Sequence, residues 1–252
     1  KMTQIEKIFN FKHIPRRSFK NHFLNQVHCE IRFDGNYTAT VVQSVDQLKD
    51  IFKSMGYESH QPVMQGQFAF KIGESGNTPL MENNSSVIGY KFSSQSPQKD
   101  VQILGDKIIF SDFSYVGFED FLKIFHAVTI EVAKLIPFQN VNKVGLRKIN
   151  SIKIAPVVSF QDACVIFNPS IFNSIRSSLI DNESLTFNEE KIVLERDSKF
   201  CLLQFRMRKL GEPDAFEATL DFDVVLKQTL DIETVFIGSL PALNDEHFDL
   251  FM

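Results

Sequence analysis

Three acids on one short stretch, Glu217, Asp221 and Asp223, are best suited by type and spacing to do chemistry. Alternate side chains of a strand share a face, so Asp221 and Asp223 would stand about 7 Å apart. That is near enough to share a divalent cation if a third ligand came from elsewhere. A metal-dependent hydrolase or nuclease needs such a pair, with Lys or Arg nearby for phosphate. The wet face of an amphipathic strand accounts for the same residues, because Phe216, Ala218, Leu220, Phe222 and Val224 alternate with them. With no His or Glu at metal spacing to complete a ligand set, the solvated face is the preferred reading, and no metal or other cofactor is assigned.

Arg147, Lys148 and Asn150 lie on a stretch whose place in the chain makes it a central strand, where polar residues are less expected than apolar ones. Arg147 and Asn150 differ by three, so a regular strand sends them to opposite faces and only a bulge would align them. Arg147 is read as structural, held by a carboxylate across the junction of two halves of the chain. The functional alternative is a small anionic ligand at that junction. Arg147, Asn150, Asp221 and Asp223 are therefore the candidate binding residues, and none is assigned a catalytic role. His126 beside Phe125 could serve as a base for a nucleophilic Cys29 or Cys164, but no cysteine has flanking residues that would lower its pKa. His28 points away from its neighbour Cys29. Arg206, Arg208 and Lys209 read as a protective basic edge. No Gly-rich phosphate loop, nucleophile elbow or zinc-type His-Glu motif occurs, which weakens the common enzyme classes.

The elements that must carry these residues follow from periodicity. Val27, Cys29, Ile31 and Phe33 alternate with polar residues as a strand, and Ser44 with Gln47 reads as a capping box opening a helix that ends at Gly56. Gln67–Ile72 alternates again, Gly73–Ser86 reads as a loop, and Val87–Phe92, Val101–Leu104 and Lys107–Phe110 as strands, the last two joined across Gly105-Asp106. Phe118, Phe121, Leu122, Phe125, Val128, Val132 and Leu135 paint one face of a helix ending before Pro137. Val144–Ile154 is a strand, Pro169–Leu179 a helix, and Leu185–Phe187 with Ile192–Glu195 a hairpin. Phe200–Arg208 and Ala215–Val225 are long strands, and a last helix starts near Asn244 or Asp245. Strand, helix, antiparallel strands, helix thus occurs twice. The expectation is an α+β fold of two similar modules, residues 23–137 and 141–252, each an antiparallel sheet with helices packed on one face, after a basic, flexible segment 1–22.

Composition bounds the rest. The 252 residues suffice to bury a core without disulfides or metal, and 26 Phe against no Trp and 4 Tyr imply a core of phenyl rings. Three widely spaced cysteines among apolar residues read as reduced thiols of a cytoplasmic protein. No apolar run approaches a membrane span and no charged-then-apolar leader occurs, so neither membrane nor export is expected. Lys1 before Met2 reads as a cloning remnant, and Phe251 and Met252 fall inside an apolar periodic segment, as if the helix ran on. The formal charge of −4 argues against nucleic acid as a partner, while residues 211–252, with Lys227 as their lone Lys or Arg, would suit a basic one.

The strand Val-Gly-Leu-Arg-Lys-Ile-Asn at 144–150, preceded by the helix opening at Tyr115–Phe125 and by the strand Asn25–Phe33, resembles a family of sporadically distributed bacterial proteins of unknown function. Its members carry a strand reading roughly Gly-x-Arg-Tyr-x-Asn. Here Gly145, Arg147 and Asn150 match, Lys148 stands where an aromatic is usual, and there is no Trp. The resemblance covers nearly the whole chain and implies a bacterial cytoplasmic accessory protein, with no activity or catalytic residue to carry over. The function expected is non-catalytic binding of another protein, in a defence or toxin-immunity setting, with self-association left open. A metal-dependent hydrolase built on Glu217 to Asp223 and a small anionic-ligand binder are the alternatives.

Overall fold

Alternation of apolar and polar residues builds strands here, and the apolar half of each strand fixes which way the sheet faces. A computed structural model of the chain describes residues 24–71, 80–167, 171–172, 185–212 and 214–251. In β1 (Leu24–Phe33), Val27, Cys29, Ile31 and Phe33 are buried while the residues between them are only partly so. The other strands are β2 (Ser59–Lys71), β3 (Leu80–Gln95), β4 (Gln98–Leu104), β5 (Lys107–Asp112), β6 (Val141–Ile154), β7 (Phe187–Arg196), β8 (Lys199–Lys209) and β9 (Phe216–Leu226). All join one antiparallel sheet in the order β2-β3-β4-β5-β1-β6-β9-β8-β7. The fold is α+β, dominated by this sheet, and its centre is the β1–β6 pairing.

The helices are α1 (Thr38–Gln43), α2 (Val45–Ser54), α3 (Phe118–Leu135), α4 (Phe160–Cys164), and α5 (Ile232–Thr234), which runs through a π-helical turn (Val235–Ser239) into α6 (Leu240–Phe251). They cover one face. Phe52 of α2 stacks on Phe92 of β3 with centroids 4.1 Å apart, and Phe125 of α3 lies against Phe110 of β5 and Phe236 of the π turn. Phe160 of α4 meets Phe216 of β9, and His247 of α6 sits over β6. Many of the described phenyl rings thus lie between sheet and helices, where flat rings stack or meet edge to face.

Several expected boundaries move. The helix expected from Ser44 to Gly56 is α2, and α1 precedes it as a helix the pattern did not show; Ser44 between them makes no side-chain cap, so the capping-box pattern is not used. The expected loop Gly73–Ser86 is strand from Leu80 onward, because residues 80–86 pair with 65–71 of β2. Leu185–Phe187 and Ile192–Glu195 do not form a hairpin with each other; β7 is one strand whose partner is β8. The last helix starts before Asn244, and α4 had no visible periodicity in its five residues. The helix expected at Pro169–Leu179 and the segment 1–22 fall outside the described residues, save Ile171 and Phe172. Among the described residues no helix is long and apolar enough to cross a membrane.

Candidate functional site

With the helices on one face, the alternate residues of every strand stand on the other, which no described element covers. Register decides which of them meet. Ser111, His28, Arg147 and Asp223 form one row across β5, β1, β6 and β9, and Ile109, Glu30, Gly145 and Val225 form the next. These two rows, with Lys91, Asp100 and Lys143, line a groove of about 430 Å³. A second hollow of about 540 Å³ lies beside it, over Gln26, Ile149, Phe187, Arg206, Arg208 and Glu217.

Arg147 grips Asp221 with two parallel bonds, Nε to Oδ1 at 2.8 Å and Nη2 to Oδ2 at 2.6 Å, and Arg206 adds a third donor to Oδ2 at 3.1 Å. The Asp221 hydrogen bond raises the Arg147 pKa further. Asp221 is only 3% exposed, so its charge depends on these donors. A carboxylate with both oxygens committed to guanidinium groups has little left for a metal. Among the described residues no group of three or more His, Cys, Asp or Glu is placed to hold one.

Asp223 differs. Burial is the main reason its carboxyl is pushed up to about 6, against the pull of Arg147 and Lys143. Those two cations are engaged elsewhere, Arg147 with Asp221 and Lys143 with Glu30 at 2.9 Å. Beside Asp223, Gly145 leaves a notch in the floor: a Cβ there would meet only Val225 Cγ2 at 3.5 Å and Asp223 Oδ1 at 3.9 Å. Glu30 on the other side of Gly145 is held by Lys143, Lys107 and Arg32. Burial opposes its charge, but these cations, led by the Lys143 hydrogen bond, bring its carboxyl below the usual range.

His28 Nδ1 lies 2.8 Å from Ser111 Oγ and Nε2 lies 3.2 Å from Gln26 Oε1. The amide oxygen can only accept, so Nε2 carries the proton and Nδ1 accepts from the serine. The spacing suits a nucleophile and its base. Its surroundings do not: desolvation and then Arg147 lower the His28 pKa, Gln26 brings no charge to hold an imidazolium, and Ser111 is only 6% exposed. The cysteines are no better placed. All three are buried, and burial pushes Cys29 well up and Cys201 to about 12.

Of the four candidate residues, Arg147, Asp221 and Asp223 come together and Asn150 does not. It stands on the helix side, 3% exposed, as the spacing of three required. The carboxylate that holds Arg147 comes from β9, within the same half of the chain, and not from across the β1–β6 junction, because register sets β9 on the other flank of β6. Arg206 and Arg208 are not an edge: β7 covers β8, and the two arginines reach back to Asp221 and Glu217. His126 lies 3.6 Å from Glu233 and packs on Phe236, a helix-to-helix contact. Sequence reasoning set His28 aside and missed Ser111, Glu30 and Lys143, because their meeting needed the β1–β5 register for Ser111 and the β1–β6 register for Lys143. No family model matches the chain, and comparison with curated proteins and with solved structures gives no match.

Proposed function

We propose that the chain is a non-catalytic binding protein that holds a protein partner on the uncovered face of its sheet, as an accessory component of a bacterial cytoplasmic system of the defence or toxin-immunity kind. The observation that carries this reading is the notch over Gly145, where the Asp223 carboxyl stands between cations already engaged by other acids. A Lys or Arg side chain of the partner fits there, its donors meeting an acceptor that its arrival would keep ionised. The rows of fixed ion pairs around the notch would then set orientation more than strength.

The same reading takes the molecule as a twofold repetition. β1 leads through α1 and α2 to the far edge, and β2, β3, β4 and β5 return to lie beside it. β6 leads through α4 to the opposite edge, and β7, β8 and β9 return likewise. The Gly-x-Arg-x-x-Asn strand then stands at the seam, which supports kinship with the sporadically distributed bacterial family.

Gly145→Val tests the proposal. It fills the notch with a side chain that suits a strand and whose Cβ meets ordinary contacts, and circular dichroism is expected to show the fold retained. Affinity capture from the native host at low salt is expected to return one stoichiometric protein with the unaltered chain and to lose it with Gly145→Val. Capture of no partner, or equal capture by both chains, defeats the reading.

A further inference from the structure

β7 is the last strand of the sheet, and among the described residues nothing pairs with its outer edge. It runs ten residues without Pro or Gly, and its middle exposes Ile192 at 43% and Val193 at 57%. A long unpaired edge whose apolar centre is exposed between charged ends is a template for another strand. The backbone says which residues offer the bonds. Lys209 N–H donates to Thr186 C=O, so even-numbered residues of this strand turn their amides toward β8 and Glu189, Lys191, Val193 and Glu195 turn theirs outward.

We infer that β7 pairs antiparallel with β7 of a second copy of this chain, about a twofold axis through Val193. In that register the outward amides of Lys191, Val193 and Glu195 face those of Glu195, Val193 and Lys191 of the second copy, so every exposed bond of the central stretch is made. The side chains agree. Lys191 stands opposite Glu195 of the second copy and Glu190 opposite its Arg196, each pair occurring twice by symmetry, while Ile192 stands opposite Leu194 across an apolar centre. Shifting the register by two residues one way sets Lys191 opposite Val193 and Glu195 opposite Glu189; the other way sets Lys191 opposite Asp197, past the end of the strand, and Arg196 opposite Ile192, so only the register centred on Val193 makes both charge pairs within the strand. The axis is perpendicular to the sheet, and the uncovered faces of both copies become one surface.

Sedimentation of the full chain over a concentration series tests this. A concentration-dependent dimer is expected. Glu195→Lys sets lysine against Lys191 twice and should weaken it about tenfold or more. Val193→Pro removes an outward N–H but no bond to β8, and should give monomer with the fold retained, as read by circular dichroism. Lys191→Glu combined with Glu195→Lys recreates the opposite-charge pairs and should restore the dimer. A monomer at every concentration overturns the inference, as does a dimer that the single charge change and the proline leave intact, or one the double change fails to restore.

Discussion

Asp223 is the residue whose energetics the open face most distorts. Its carboxyl is raised from 3.8 to about 6, chiefly by burial, so the folded chain holds this proton more tightly than the unfolded one. The contribution to stability is therefore fully present below about pH 4 and is lost as pH rises through about 6. His247 works the other way: burial, and then Lys148, bring it down to about 3 as its ring bonds the Leu146 carbonyl at 2.6 Å, so its contribution is present above its usual range and lost in acid. The two slopes oppose each other, and a single pH profile of the unaltered chain would blur them. Asp223→Asn separates them. The variant is expected to be more stable at pH 7, on the order of 1–2 kcal/mol after allowing for solvent at the groove, with the advantage vanishing below about pH 4. Urea unfolding of both chains across this range reads it, and a difference that does not change with pH removes the account of Asp223.

At the scale of elements, β4 and β5 are tied by an ion pair on the wrong side of the sheet for charges. Lys99 and Asp112 face each other across the ladder on the helix side, 7% and 2% exposed, with Asp112 also accepting from the Ser114 N–H at 2.8 Å. Asp112→Ala would leave an ammonium buried beside the Phe110 ring and is expected to cost about 3–5 kcal/mol. Replacing both residues by Leu and Met should recover most of that, since no charge then remains to desolvate. Denaturant midpoints of the single and double variants decide it; equal losses would mean that the pair itself, and not the orphaned lysine, carries the energy. Sequence periodicity found these strands and α3 because each has one buried and one wet face. It failed where that contrast is absent. β7 has no strongly buried side, so it read as two short pieces, and β2 and β3 pair through polar residues such as Asn84 and Ser86 that look like loop. The groove was half legible: β9 and β6 each announced their polar face, but alternation within a strand carries no information about which strand lies next to it.

The molecule as a whole hinges on the β1–β6 seam. Each half read from sequence has its own meander and its own helices, which would suggest two units that unfold separately. The seam argues for one. Cys29 and Ile31 of β1 and Val144 and Leu146 of β6 are fully buried within one continuous core, and polar ties cross the same line at Lys143 to Glu30 and at Asn142 Nδ2 to Asp34 Oδ1, 2.8 Å. Losing either half would strip the central strand of the other, exposing both its backbone edge and its apolar face. Unfolding is therefore expected as a single cooperative transition. With no Trp to report, circular dichroism and amide exchange are the probes: backbone amides of β4 and β9, on opposite sides of the seam, should reach the same limiting opening free energy, and that value should match the one from circular dichroism. A plateau in the denaturant curve at which β9 amides exchange freely while β4 remains protected would show the halves to be independent, and would locate the weak line of the molecule at β1–β6.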